Sequence, residues 1–140
     1  AWNAPRAMPK TYSHNDFRVD NMLIGGERVC VVDWQTSNFL GTGMDTAYFL
    51  GGAFDRDTRA ATEVELLHEY HELLVANGVE GYDFDHVMAD YRHYSFAVLV
   101  VAIAATVIVE QTERGDRLFM KMVTDGAYQA IDNDAVDILG

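Results

Sequence analysis

The sequence predicts an α+β fold that is mostly helical, with a small β-hairpin unit followed by a bundle of helices. Two short apolar runs flank Gly25-Gly26, which is typical of a β-hairpin. From Asp45 onward, apolar residues recur at three- and four-residue steps, the pattern of amphipathic helices. The length of 140 residues, 49% of them apolar and 23% charged, suits a single domain over residues 1–140.

The first third of the chain predicts short strands joined by loops. Residues 1–10 are expected to be extended, because Pro5 and Pro9 disfavour a helix. A polar loop is predicted over 14–20, and a second loop over 36–43, which ends in glycine. Strands are predicted at 11–13, 22–24 and 28–32.

Apolar periodicity predicts helices through the rest of the chain. The predicted helical segments are 45–54, 58–77, 85–112 as one helix or two, 114–131 and 134–139. The apolar stretch 96–109 is shorter than the roughly 20 residues that span a bilayer, so it predicts a buried core helix. The acidic side chains of the second segment predict a solvated face: Glu63, Glu65, Glu69 and Glu72.

Composition excludes several classes of function. Ten Lys and Arg residues against 22 Asp and Glu residues give a net charge of −12, which argues against binding to nucleic acid or to an anionic membrane. The single cysteine, Cys30, forms no intrachain disulfide, which favours the reducing cytoplasm. Because Cys30 lies among valines, we expect it to be buried and unreactive. His68 and His71 are three residues apart, whereas a zinc-protease helix needs a spacing of four, so we expect no metal there.

The polar loop and the hairpin that follows it carry the candidate chemistry. Asn21 opens one hairpin strand and Asp33 closes its partner, so their oxygens are expected to lie close together and to suit Mg²⁺. Asp16 remains free to accept a proton from a hydroxyl, and Arg18 can meet a phosphoryl group. The plainer interpretation is a polar turn before an ordinary hairpin.

These residues resemble a known catalytic pattern. His14, Asp16 and Asn21 fit the protein-kinase sequence His-x-Asp-x-x-x-x-Asn, and Asp33-Trp34-Gln35 stands where those enzymes have Asp-Phe-Gly. The stretch HNDFRVDNMLIGGERVCVVDWQ, followed by DTAYFL, is similar to the aminoglycoside phosphotransferase and choline-kinase-like group, and closest to its ecdysteroid-kinase-like branch. Two departures are Asn15 in place of a common glycine and Trp34-Gln35 in place of Phe-Gly.

The resemblance implies a protein-kinase-like C-terminal lobe and a role for each matched residue. Residues 11–35 would form the catalytic loop and metal-binding hairpin, and 44–140 a helical subdomain on the acceptor side. The implied roles are a catalytic base for Asp16, contact with the transferred phosphate for Arg18, Mg²⁺ binding for Asn21 and Asp33, and support of the loop for His14. Asp45 would brace the loop through backbone N–H groups, or cap its own helix.

The implied activity is an ATP- and Mg²⁺-dependent phosphotransferase, acting in the cytoplasm on a hydroxyl of a small molecule that the sequence does not identify. The sequence does not distinguish ATP from another nucleoside triphosphate as the phosphoryl donor. The family's N-terminal nucleotide lobe has no counterpart before Thr11, so the chain alone is expected to be inactive, and its uncovered hairpin is expected to favour a homodimer. The alternative is a non-catalytic kinase-like module for binding or oligomerisation.

Overall fold

The computed structural model describes residues 9–139, so most of the predicted extended lead-in at 1–10 lies outside the described residues. Four short strands come first: β1 (Lys10–Ser13), β2 (Met22–Gly25), β3 (Arg28–Val31) and β4 (Asn38–Gly41). β2 and β3 form the predicted hairpin, and β1 pairs with β4, both antiparallel. Single 3-10 turns lie at Val19–Asn21 and Trp34–Thr36.

The helices follow without interruption by strands, so the expected mostly helical fold with a small β portion is confirmed. They are α1 (Gly43–Ala53), α2 (Arg56–Ala76), α3 (Phe84–Tyr94), α4 (Ala97–Ile108), α5 (Glu113–Asp132) and a final 3-10 segment (Ala135–Leu139). The predicted segment 85–112 is therefore two helices. Asp55 and Asp83 cap α2 and α3, since each carboxylate accepts a backbone N–H at 2.9 Å from the first turn.

The core forms around α1, which packs against the other four α-helices of the described residues. Its buried apolar side chains include Ala47, Tyr48, Leu67, Val87, Tyr91 and Val98. Helices α4 and α5 cross closely at Gly126, where a Cβ atom would lie 2.7 Å from the backbone nitrogen of Leu99. This position therefore requires glycine.

A buried polar network ties α2 to α3 and α5, which corrects the predicted solvated face. Arg59 is 2% exposed and Glu63 7% exposed, whereas the other three acidic residues of that face are exposed. Arg59 donates to Glu63 Oε2 at 2.6 Å and to Asp132 Oδ2 at 2.5 Å. The hydroxyl of Tyr91 also donates to Glu63 Oε2, at 2.6 Å. Glu63 faces inward because its charge is compensated there by a guanidinium four residues earlier.

Two expectations for the strand region were wrong. Residues 38–41 form strand β4 rather than a loop, because Phe39 and Leu40 pair with Tyr12 and Thr11 of β1. Cys30 is exposed rather than buried. Its hairpin makes no extensive contact with any helix, so neither face of β3 is covered by another described element.

Within residues 9–139, one apolar stretch has the length and the composition of a helix that could span a membrane. It is Phe84–Ile108, 25 residues that include α3 and α4, with a hydropathy of 1.5 and one third (33%) of its most apolar window buried. The chain turns at Ser95, and Asp90 within the stretch is fully buried and accepts a hydrogen bond from Tyr82 at 2.8 Å. By length and composition alone, the stretch is weak support for a membrane span.

The expectation of a buried core helix at 96–109 is right only for its first half, since Ala97, Val98 and Ala102 are buried whereas Val107 and Ile108 are 83% and 82% exposed. Helix α4 packs on α1 and α5, and no described element covers its end.

Candidate active site

His14 joins the polar loop to the end of β3. Its ring is 1% exposed, and Nε2 lies 2.8 Å from the carbonyl oxygen of Val32, which can only accept. Nε2 therefore carries the proton, and Nδ1 accepts the backbone N–H of Asp16 at 3.3 Å. The imidazole thus fixes Asp16 relative to the strand that leads to Asp33.

Asp45 holds the same loop from α1. Its two carboxylate oxygens accept the backbone N–H groups of His14 and Asn15, at 2.7 and 2.8 Å. Because α1 begins at Gly43, Asp45 lies in the first helical turn and is not the N-cap. Asn15 adopts a left-handed conformation with φ of 66°, which asparagine tolerates better than most residues.

The carboxylate of Asp16 has a donor on each oxygen. The side-chain amide of Asn21 donates to Oδ2 at 3.0 Å and also to the Asp16 carbonyl oxygen at 2.9 Å. The hydroxyl of Tyr48 donates to Oδ1 at 3.3 Å. Asp16 and Asn21, which the sequence assigned to proton acceptance and metal binding, are thus in direct contact.

Asn21 and Asp33 come from neighbouring positions of the hairpin. The carbonyl of Asn21 accepts a hydrogen bond from the backbone N–H of Val32 at 2.9 Å. Asp33 therefore lies one residue beyond the residue that pairs with Asn21. The amide nitrogen of Asn21 faces two acceptors, which leaves its side-chain oxygen turned away from them. Asp33 is exposed, and no other side chain or backbone group within residues 9–139 pairs with its carboxylate.

The backbone at Asp33 is also unusual, with φ of 65° in the left-handed region. Such a conformation is costly for a residue other than glycine and is typical of functional sites. No group of three or more His, Cys, Asp or Glu side chains among the described residues is placed to hold a metal ion. The amide oxygen of Asn21 and the carboxylate of Asp33 would supply only two protein ligands. Two are enough for Mg²⁺, because this ion takes most of its ligands from water and from phosphate oxygens.

Arg18 forms an ion pair that the sequence analysis did not predict. Its guanidinium donates to Asp20, two residues later in the same polar loop. Burial acts to lower the pKa of Arg18, but the hydrogen bond and the charge of Asp20 outweigh it and raise the pKa. Arg18 is therefore a permanent cation beside Asp16.

A cleft of about 200 Å³ opens next to this loop. Its apolar lining comes from the loop and from two later helices: Val19, Val98, Leu118 and Met122. Two ion pairs contribute polar groups, Arg18 with Asp20 and Lys121 with Asp125. Tyr48 lines the same cleft, and its hydroxyl contacts Asp16, which is not itself a lining residue.

Sequence reasoning missed Tyr48 and the wall of the cleft from α4 and α5. Tyr48 follows Asp45 by three residues in a predicted helix, so both side chains lie on one face, and that spacing was an available signal. The residues of α4 and α5 carry no motif. Their place at the cleft depends on how the helices pack, which spacing along the chain does not encode.

Residues 4–79, more than half of the chain, match the family model described as ecdysteroid kinase-like. The chain belongs to the ecdysteroid kinase-like family. No curated protein and no solved structure matches the chain.

Membership in the ecdysteroid kinase-like family confirms the resemblance and makes the chain a kinase-like phosphotransferase at the level of the family. The matched residues contain the polar loop, the hairpin, α1 and α2. Helices α3, α4 and α5 lie outside the matched residues, so part of the cleft is built from residues beyond the match.

Proposed function

We propose that this chain is the catalytic-loop lobe of an ATP- and Mg²⁺-dependent phosphotransferase that acts on a hydroxyl group of a small molecule. In this proposal the polar loop is the catalytic loop of a protein-kinase-like C-terminal lobe. The observation that carries the proposal is the Asp16 carboxylate, which is held by two donors, one of them the hydroxyl of Tyr48 from the wall of a cleft.

The arrangement of Asp16 suits a group that orients and deprotonates an acceptor hydroxyl. Each of its oxygens accepts one hydrogen bond, and an ionised carboxylate has about four lone-pair sites, so acceptor capacity remains for a substrate. Its backbone is fixed through His14, and the amides of the preceding two residues are fixed by Asp45. A rigid loop of this kind favours phosphoryl transfer, in which positioning and electrostatics supply most of the catalysis.

The side chains of Asn21 and Asp33 fit a magnesium ion, because both present oxygen atoms that no group within residues 9–139 engages. A bound Mg²⁺ would neutralise charge on the nucleotide phosphates. The charges of Arg18 and Asp16 interact, and in this proposal the guanidinium exchanges Asp20 for the transferred phosphoryl group. Arginine suits this role because its planar guanidinium binds phosphate through two hydrogen bonds.

The cleft indicates the kind of acceptor. Its lining is mainly apolar, with charged groups confined to two ion pairs, and its volume of about 200 Å³ is small. Because hydrophobic lining with a few placed polar groups is typical of small-ligand sites, we infer an alcohol with a compact apolar body. A polycationic acceptor fits less well, since Arg18 and Lys121 already compensate the two carboxylates of the cleft.

The hairpin supports the further proposal that a nucleotide-binding lobe covers it. Leu23, Ile24 and Val29 are 61%, 70% and 58% exposed, and no described helix makes an extensive contact with the hairpin. Exposed apolar patches next to a site are typical of surfaces that another domain or chain covers. This same surface favours the alternative, a non-catalytic module that uses the hairpin to bind a partner or a second copy.

The test is phosphoryl transfer by the full-length natural protein, with Mg²⁺·ATP and a panel of small apolar alcohols. We expect Asp16→Asn to lower kcat by about 100-fold or more, because a carboxamide accepts no proton. The matched control is Glu65→Gln, on the exposed face of α2 and away from the loop and the cleft, which is expected to leave kcat unchanged. Normal turnover by Asp16→Asn, or no transfer by the wild type to any alcohol, would exclude this function and favour the non-catalytic module.

A further inference from the structure

Helix α1 contacts the catalytic loop through two side chains of opposite hydrogen-bonding character. Asp45 accepts the backbone N–H groups of the loop, and Tyr48, one turn later, donates its hydroxyl to Asp16 Oδ1 at 3.3 Å. Residues three apart on a helix lie on the same face, so one face of α1 holds both the backbone and the carboxylate of the loop.

The ring of Tyr48 is fixed independently of this hydrogen bond. The residue is 3% exposed and belongs to the core cluster, so its ring is held by packing. Burial, with a further contribution from the negative charge of Asp16, raises the pKa of Tyr48 to about 12. The hydroxyl therefore keeps its proton at physiological pH and remains a donor.

We propose that Tyr48 is a positioning residue, which sets the orientation of the Asp16 carboxylate in the catalytic loop. This inference rests on the proposed function, because it assigns a role within the same site. The donor from Asn21 alone leaves Oδ1 free to move, whereas donors on both oxygens fix the plane of the carboxylate. The separation of 3.3 Å exceeds the usual O–H···O distance of about 2.8 Å, and such bonds commonly shorten when substrate binds.

Tyr91 provides a matched control. It is a second buried tyrosine whose hydroxyl donates to a carboxylate, in this case Glu63 Oε2 at 2.6 Å. Burial and the charge of Glu63 likewise raise its pKa. Tyr91 does not line the cleft, so its hydroxyl is expected to contribute to stability alone.

The experiment compares Tyr48→Phe with Tyr91→Phe in the full-length protein. We expect Tyr48→Phe to lower kcat by about tenfold, with the KM for the alcohol and for ATP changed less than about twofold, because the lost hydrogen bond orients a reacting group and binds no substrate. Tyr91→Phe is expected to lower the midpoint of thermal unfolding and to leave kcat unchanged. The reverse pattern, or an unchanged kcat in Tyr48→Phe, would overturn the inference.

A second measurement does not depend on activity. The side-chain amide of Asn21 donates to the Asp16 carboxylate at 3.0 Å, so its ¹H–¹⁵N resonances report where that carboxylate lies. We expect these resonances to shift in Tyr48→Phe and to stay in place in Tyr91→Phe; resonances that do not move in Tyr48→Phe would contradict the positioning role. The variant Asp16→Asn separates the two proposals. Loss of turnover in Asp16→Asn with normal turnover in Tyr48→Phe refutes the positioning role alone, and normal turnover in Asp16→Asn refutes the proposed function.

Discussion

Two adjacent glycines in α1 are expected to respond in opposite directions to the same substitution. At Gly51, an added Cβ would lie 2.0 Å from the side-chain oxygen of Gln129 and 3.1 Å from Val98 Cγ2. At Gly52, nothing lies within 4 Å of the added atom. Neither glycine has a positive φ, so alanine fits the backbone at both positions. The pair therefore isolates the effect of packing against Gln129 from that of helix propensity.

The loss of stability in Gly51→Ala depends on which hydrogen bonds of Gln129 the new methyl group breaks. Its side chain is fully buried, and its amide donates to the carbonyl of Ala47 at 2.9 Å and to the hydroxyl of Tyr91 at 3.0 Å. Displacing it breaks both bonds, at about 1 to 3 kcal/mol for each buried group left unsatisfied. The gain from replacing glycine by alanine is at most about 1 kcal/mol. We expect Gly51→Ala to lower the free energy of unfolding by about 2 kcal/mol, and Gly52→Ala to raise it by about 0.5 kcal/mol.

Urea denaturation followed by far-ultraviolet circular dichroism measures both changes. A double-mutant cycle makes the comparison sharper, because Gln129→Ala removes the closest atom, at 2.0 Å, and leaves only Val98 Cγ2 at 3.1 Å from the new methyl group. In the background of Gln129→Ala, adding Gly51→Ala is expected to cost less than about 0.5 kcal/mol. If Gly51→Ala alone is as stable as Gly52→Ala, or the cost persists without the glutamine side chain, the described packing of Gln129 against α1 is wrong.

Two further predictions concern the carboxylates that hold the loop and the helices together. Asp45→Ala removes both acceptors of the loop amides, so hydrogen exchange at His14 and Asn15 is expected to accelerate, with a loss of about 2 kcal/mol in stability; unchanged exchange would contradict this. Hydrogen bonds from Arg56, with a further contribution from Arg59, outweigh burial and lower the pKa of Asp132. Its stabilising effect is therefore present above the ordinary aspartate pKa and is lost as the pH falls through the lowered value. Asp132→Asn is expected to lower stability at pH 7 and to flatten the acid limb of a stability–pH curve, which thermal unfolding between pH 2 and pH 7 measures.

Local signals predicted most of the secondary structure. The glycine pair predicted the β2–β3 hairpin, and apolar spacing predicted every long helix, with boundaries shifted by a few residues. Strand β4 was missed because its partner, β1, lies far from it along the chain, from Lys10 opposite Gly41 to Ser13 opposite Asn38. No short-range pattern encodes such a pairing, and the glycine at its end favoured a loop.

The sequence likewise predicted the part of the candidate site that lies in local motifs and missed the part that depends on packing. His14, Asp16 and Asn21 lie in one short motif and Asp45 in a second stretch, and the structure places all four in one hydrogen-bonded group. The inward position of Glu63 was missed, although Arg59 four residues earlier was a visible partner for a buried charge. A periodicity argument treats every glutamate on a helix as solvated, and only the packing of α2 against α3 and α5 decides which one is enclosed.

The limits of the family match bear on how this protein selects its acceptor. The loop, the hairpin and α1 lie within residues 4–79, and they supply the groups suited to phosphoryl transfer. The opposite wall of the cleft comes from Val98 on α4 and from Leu118 and Met122 on α5, beyond the match. Because these side chains are apolar and take no part in the hydrogen bonds that hold the catalytic loop, we expect that their size can change without disturbing it. The proposed division places the chemistry in the matched half of the chain and the choice of alcohol in the helices that follow it.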